Sequence, residues 1–195
     1  MRKVGFFRSI HLKFVLIYVL LIMVAMQIIG VYFVGRLETQ LVDNFTSSLK
    51  EKVDLLAYNV KEELEKERDE DTPSLEADIK EMLSDFKTDD IAEVRVIDKR
   101  YRIIGTSDPD NQGIVNKKTT EPRVKRTLAL GTPDDRVFVR EGTNQRVWVL
   151  TSPIKSNDET IGVISLEAKI ENVFVQLREI NGIFATGTII ALGVT

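Results

Sequence analysis

The sequence predicts an α/β domain of the α+β kind, about five mostly antiparallel strands with a long N-terminal helix, carried between two transmembrane helices. Three observations predict it. Phe14 to Val34 is a run of 21 residues without a charge. From Leu37 to Leu64 apolar residues recur every three or four positions, the spacing of one helix face. From Ile91 onward the period falls to two and β-branched residues gather, which marks strands.

Composition bounds the rest. The 195 residues have room for one domain of ordinary size plus attachments, and 43% hydrophobic content, 29% charged content and a net charge of −3 give an unremarkable average. The average conceals segregation, because all 30 acidic residues fall between Glu38 and Glu179. With no Cys, and His11 as the single histidine, a disulfide framework, a thiol nucleophile, a zinc cluster and a His-based triad are excluded within these residues.

As a helix, the run Phe14–Val34 covers about 30 Å, the thickness of the hydrocarbon layer, with its backbone amides bonded internally. Gln27 is its one strongly polar side chain, and Tyr18, Tyr32 and Phe33 stand toward its ends, where rings suit the interface. A cleaved signal peptide fits less well: its apolar core would be shorter, and a small-x-small cleavage site should follow where Tyr-Phe-Val-Gly-Arg stands. Arg2, Lys3, Arg8 and Lys13 precede the run without an acid, so residues 1–13 are expected to form a basic cytoplasmic tail. A second uncharged stretch, Ile180 to Thr195, is too short to complete a crossing. The expected organisation is transmembrane helix 1 at 14–34, an extracellular domain at 35–181, and the start of a truncated transmembrane helix 2 at 182–195. The middle segment holds 23 of the 27 basic residues and all 30 acids, a local net charge of −7, which disfavours a general role in nucleic-acid or headgroup binding.

Within it, Leu41, Phe45, Leu49, Val53, Leu56, Val60 and Leu64 make one long helix with no Pro or Gly until Pro73. Most steps are of four residues, so the stripe winds, and part of it is expected to meet a second copy of the chain and part the domain's own sheet, although a single broad core face explains it almost as well. Glu62, Glu63, Glu65 and Glu67, among Lys61, Lys66 and Arg68, read as a solvated face. Ser74 can cap a short helix to Phe86. Ile91–Ile97 and Tyr101–Ile104 read as a hairpin about Asp98-Lys99-Arg100, followed by a polar loop at 105–113 and a helical patch at Arg123–Leu130 ended by Gly131-Thr132-Pro133. Arg136–Arg140, Arg146–Thr151 and, after Pro153 and the turn Ser156-Asn157-Asp158-Glu159, Thr160–Ala168 supply three more strands. Ile170, Val173, Phe174, Leu177 and Ile180 resume helical spacing.

Little in this segment points to catalysis. Gly105-Thr106-Ser107 lacks the spaced glycines and the Lys of a phosphate loop. Asp108 with Asp110, and Asp134 with Asp135, lie among Pro and Gly, where Asp serves turns. No histidine lies nearby to activate Ser107 or Thr106. No catalytic residue and no metal site is expected.

VIDKRYRIIGTSD (96–108) and SPI…TIGVISLEA (152–168) resemble the strand-turn-strand and closing strands of PAS-like, Cache-type extracytoplasmic sensor domains. Tyr101 departs from that pattern, which usually has Gly there; a bulky residue disfavours positive φ, so a tighter or wider turn is expected. With HLKFVLIYVLLIMVAMQIIGVYFV, LVDNF, RVWV and INGIFATGT added, the whole chain is similar to the WalK family of cell-wall-responsive sensor histidine kinases of Gram-positive bacteria. The resemblance implies that a HAMP domain, a cytoplasmic PAS domain and a histidine kinase using ATP and Mg2+ follow Thr195, with no enzyme activity and no cofactor in the present residues. His11, in the basic tail, does not match the phosphoacceptor. Implied partners are a second copy, the membrane, a WalR-type response regulator and WalH/WalI-type membrane regulators, with no nucleic acid.

In PAS-like folds the loop before the third helix borders the ligand pocket. Lys117, Lys118, Arg123, Lys125 and Arg126 form a basic patch beside it, suited to a carboxylate- or phosphate-bearing cell-wall fragment, although charge balance on a solvated helix explains it as well. Arg95 in mid-strand is a candidate ion-pairing group. Trp148 is a candidate stacking surface, or a core residue given Val147, Val149 and Leu150. The expected function is extracellular sensing and transmembrane signalling in a kinase that controls wall metabolism. The alternatives are the sensor part of a chemoreceptor or diguanylate cyclase receptor, and a wall scaffold that transmits nothing.

Overall fold

A computed structural model describes residues 10–67, 74–86, 88–140, 142–143, 145–171 and 173–175. The basic tail, apart from its last residues, and the stretch 176–195, with the predicted second span, lie outside these. The chain divides into two compact units, one of residues 43–172 and one of residues 1–42 with 173–195.

Helix α1 runs unbroken from Ile10 to Glu65. From Lys13 onward it is long and apolar enough to cross a membrane, with a mean hydropathy of 2.7 in its most apolar window. In the unit that contains this window, most ring-bearing and branched side chains face outward, as lipid contact requires; Phe14, Tyr18 and Tyr32 are all more than half exposed, while Val34 is buried. At the end of the run Arg36 reaches back one turn. Its Nε donates to Tyr32 Oη at 3.3 Å and its guanidinium lies 5.8 Å from that ring. A cation and an amphipathic ring paired this way suit the bilayer boundary.

The other unit is built on a five-stranded antiparallel sheet. Its strands are β1 (Ile91–Asp98), β2 (Ile103–Thr106), β3 (Asp134–Val139), β4 (Arg146–Ser156) and β5 (Glu159–Lys169), in the order β2-β1-β5-β4-β3. Helix α2 (Leu75–Ser84) is capped by Ser74, whose Oγ accepts from Ala77 N. Helix α3 (Pro122–Leu130) opens on Pro, which needs no N–H there, and ends on Gly131 in the left-handed conformation. A 3-10 turn, Pro109–Ile114, precedes α3.

Register assigns the two sheet faces. Val94, Val96, Leu166, Ile164, Leu150 and Trp148 share one face, which α1 and α2 cover through Val53, Leu56, Val60, Ile79 and Leu83, all buried. Ile97, Ile103 and Val163 share the other, under Val124 and Leu128 of α3 and Ile114 of the 3-10 turn. The face under α1 and α2 is predominantly apolar, whereas the α3 face sets a polar row, Arg95, Ser165 and Thr151, beside its apolar residues.

Three local expectations change. Tyr101 itself takes the left-handed conformation, φ 64°. Asp98 makes this possible: its Oδ1 accepts from Arg100 N and Arg102 N, each at 2.8 Å, replacing with an Asx-type turn the freedom a glycine would have supplied. Gly105 and Thr106, read as the start of a loop, are the buried end of β2, and the polar segment behind them is partly wound into the 3-10 turn. Pro153 does not interrupt β4, which runs through to Ser156. Pairing with β3 ends at Thr151, so Pro153 has β5 as its one neighbouring strand and its missing N–H breaks no ladder bond on the other side. The reversal after β4 needs two residues, Asn157 and Asp158, both at positive φ, the chemistry of a tight hairpin turn.

Candidate sensory site

The residues able to recognise something lie on the α3 side of the sheet, and they form two groups. The first is centred on Arg95 in β1. Its Nη1 donates to Glu121 Oε1 at 2.5 Å and its Nε lies 3.5 Å from Glu93 Oε2. Glu93 also accepts from Thr106 Oγ1 at 2.7 Å and from Asn111 Nδ2 at 2.9 Å. Side chains of β1, β2, the 3-10 turn and the residue capping α3 are thereby tied together. The alternation of β1 places Glu93 and Arg95 on the same face, and the antiparallel register sets Thr106 opposite Arg95. With two carboxylates against one guanidinium, the group is an internal ion-pair clasp with no spare positive charge, although Arg95 Nε is buried there without a hydrogen-bond partner.

The second group lies where α3 meets the edge strand β3. Arg123 stacks on Phe138 with its guanidinium carbon 4.0 Å from the ring centroid. Burial lowers its pKa, with Arg136 and Arg126 acting the same way and Asp134 and Glu121 opposing them. Arg123 Nη1 and Asp134 Oδ2 are shut off from solvent without a hydrogen-bond partner. Arg136 Nε stands 3.6 Å from Asp134 Oδ1. The seam is pinned below by Thr127 of α3, whose hydroxyl meets that of Thr151 at 2.8 Å, and by Thr151 donating to the Asp134 carbonyl at 3.2 Å.

The structure separates the six residues singled out in the sequence. Arg95 is an ion-pairing group in the first cluster, and Arg123 with Arg126 belongs to α3 at the second. Lys117 and Lys118 are exposed in the segment between the 3-10 turn and α3, their backbones held to β2 and its flanks: Ile103 N donates to Lys117 O at 2.9 Å, and Lys118 bridges to Arg102. Trp148 is core, 2% exposed, on the opposite face from Arg95. Its indole N–H donates to Asp135 at 3.1 Å, and Lys50 of α1 pairs with the same carboxylate at 3.1 Å. Asp134 and Asp135, read as turn residues, therefore sit in β3 and face opposite sides. Asp108 does serve a turn, capping the 3-10 segment by accepting from Asp110 N. Glu93, Glu121, Asp134, Arg136 and Phe138 escaped sequence reasoning. The alternation of Asp134, Arg136 and Phe138 within DDRVFV was visible, but which of them faced α3 was not.

Three open clefts of about 500, 320 and 370 Å3 lie in this unit, along α1–α2, between α1, α2 and β1, and beside the β1 start and Pro109. None of the six predicted residues lines them.

Comparison with known proteins agrees with this architecture. Residues 78–168 match the family described as "WalK sensor protein kinase Chache domain". Over 197 aligned residues the chain is 39% identical to the sensor histidine kinase WalK of Bacillus subtilis, covering 100% of this chain and 32% of that protein. It is 38% identical to the sensor protein kinases WalK of Staphylococcus epidermidis and Staphylococcus aureus, covering 96% of this chain and 31% of each. The chain thus spans about a third of the length of these relatives. Among solved structures, the sensory domain of the Campylobacter jejuni chemoreceptor Tlp3 with isoleucine bound superposes with a TM-score of 0.54 at 14% identity, over 74% of this chain and 59% of that one. Its complex with L-valine gives 0.51 at 14%, over 74% and 60%. At that identity the likeness is one of fold. With a five-stranded Cache sheet, an apolar N-terminal helix, and 96–100% of its own length matched to about a third of three WalK proteins, the chain belongs to the WalK family of sensor kinases and corresponds to their membrane-linked sensor part.

Proposed function

We propose that this chain is the extracellular sensing and transmembrane signalling part of a sensor histidine kinase that controls cell-wall metabolism. One observation carries the reading: the match to WalK kinases extends through the apolar stretch of α1 and the sheet domain together, so the pairing of membrane segment and sensor is shared. The proposed topology has a cytoplasmic N-terminus, a first span at 14–34 and a second that begins near residue 182. The working unit is a homodimer. A WalR-type response regulator, and WalH/WalI-type membrane regulators near the spans, are its proposed partners. ATP and Mg2+ belong to the kinase part of such a protein, outside these residues.

The mechanism is a shift between populated states. α1 supplies both the apolar run and the buried residues Leu49, Val53, Leu56 and Val60 that pack in the sensor. A stimulus that favours one seating of the sheet on α1 changes the setting of that helix, and a helix without a break transmits displacement where a flexible linker would absorb it. The proposed stimulus is an anionic wall fragment engaging Lys117, Lys118, Arg123 and Arg126.

The test is a hybrid kinase in which this chain replaces the equivalent third of the Bacillus subtilis relative. In proteoliposomes, locking α1 to the sheet with an engineered disulfide should change autophosphorylation several-fold, in a manner reversed by reductant. Autophosphorylation indifferent to that lock, or to deletion of residues 43–172, overturns the proposal and favours a tether that transmits nothing.

A further inference from the structure

The seam between α3 and β3 contains a donor and an acceptor that the protein itself leaves unused. Arg123 Nη1 and Asp134 Oδ2 are buried and unpartnered. Leaving such an atom unmade carries its full desolvation penalty, the more so for a charged group. A fold retains two of them in one seam most readily when something else completes them. The surrounding cations have few competing carboxylates: Glu121 is taken by Arg95 at 2.5 Å, and Asp134 is 3.6 Å from Arg136. Arg136 and Phe138 lie on the α3 side of β3, and Arg126 follows Arg123 by one helical turn. Phe138, 40% exposed, gives the Arg123 guanidinium a ring to rest on and an open edge from which to swing away.

We propose that this seam binds a phosphoryl group that presents an O–H, with Arg123, Arg126 and Arg136 taking the anionic oxygens and Asp134 Oδ2 accepting the O–H. The hydroxyl is either the ion's own, as in hydrogen phosphate, or that of a neighbouring carbon in a polyol phosphate. Several guanidiniums suit a multiply charged tetrahedral anion, whereas a single carboxylate is satisfied by one bidentate arginine. The carboxylate sets selectivity: sulfate has no proton at neutral pH and would bring a lone pair against Asp134, while phosphate brings a donor. Because Arg123 must leave Phe138 to make these contacts, occupancy acts on the N-terminal turn of α3. The assignment deepens the sensor reading and rests on it for its physiological meaning.

The experiment is calorimetric titration of the whole chain in detergent micelles, at fixed ionic strength, with inorganic phosphate, glycerol 3-phosphate and sulfate. Phosphate or glycerol phosphate should bind at least tenfold more tightly than sulfate, the stronger of the two identifying the source of the hydroxyl. Arg123→Gln should lose at least tenfold in affinity for the preferred ligand. Asp134→Asn should raise sulfate affinity to within a few-fold of phosphate, because the amide can donate where the carboxylate repelled. If Arg123→Gln fails to fold, the loss of selectivity in Asp134→Asn decides. Equal binding of sulfate and phosphate by the unmodified chain, binding of neither, or unchanged selectivity in Asp134→Asn overturns the proposal. None of these results touches the hybrid-kinase test, which depends on the helix and not on the ligand.

Discussion

Gly162 in β5 is where the sheet tolerates least. A Cβ there would lie 2.8 Å from the Ile97 carbonyl oxygen, 3.2 Å from Ile154 Cδ1 and 3.5 Å from Leu64 Cδ1 of α1. Gly162→Ala has two opposing effects. Replacing a strand glycine by alanine removes unfolded-state freedom and gains about 0.5–1 kcal/mol. Forcing a methyl into filled space costs about 1–3 kcal/mol, toward the upper end here because the nearest atom is backbone oxygen in β1. The net is a loss of about 2 kcal/mol, or some 4–8 °C in the unfolding midpoint at roughly 2–4 °C per kcal/mol for a chain of this size. Gly105 supplies the control. Its added Cβ would come closer still, 2.7 Å, but to Ile79 Cγ2 of helix α2, a side-chain methyl rather than a backbone atom of the neighbouring strand. Gly105→Ala should therefore stay within about 1 kcal/mol of the parent. Thermal unfolding of the three proteins in micelles, followed by far-ultraviolet circular dichroism, reads both numbers. A Gly162→Ala protein as stable as the parent, or less damaged than Gly105→Ala, would refute the idea that rigidity of the neighbour outweighs the contact distance.

Asp98 holds Tyr101 in its left-handed turn through two backbone bonds of 2.8 Å and a contact to Arg102 Nε at 3.2 Å. Asp98→Ala should cost about 3 kcal/mol and Asp98→Asn, which keeps one acceptor, about 1 kcal/mol, measured by urea unfolding; equal losses would remove the hydrogen-bonding account. Trp148→Phe should cost about 2 kcal/mol, combining the lost N–H bond to Asp135 with a smaller ring in a filled core, and a neutral result in the same assay would show that the indole is not held as described. Leu55 and Tyr58 of α1 are 68% and 63% exposed, so the homodimer is expected to use this face. Since the chain has no cysteine, Tyr58→Cys gives a single thiol; mild oxidation in membranes should yield mainly covalent dimer, while Lys50→Cys, on the face engaged with Trp148, should not. A purely monomeric Tyr58→Cys would exclude the interface.

The sequence by itself determined the local features whose cause lies within a few residues. The apolar run needs only length and lack of charge, and the α1 stripe needs only its repeat. Ser74 caps α2 and Gly131 ends α3 because a side-chain oxygen and a positive φ are local demands. The motif resemblance supplied the family, which the relatives show. Tertiary structure decided everything that depends on which face a strand residue takes and what has ended beside it. Pro153 looked like a break until the pairing of β4 with β3 proved to stop at Thr151, and Tyr101 looked incompatible with its turn until Asp98 proved to hold it. The candidate site belongs to the same category. Arg123 stood out in the basic patch, but Asp134, eleven positions on, read as a turn residue, and nothing in the sequence pairs the two. They share one seam because Arg123 of α3 reaches Phe138 of the edge strand and the period-two alternation of β3 puts Asp134 on the same face as Phe138 while Asp135 and Val137 turn away, so a one-residue change in register would have assembled a different surface from the same letters.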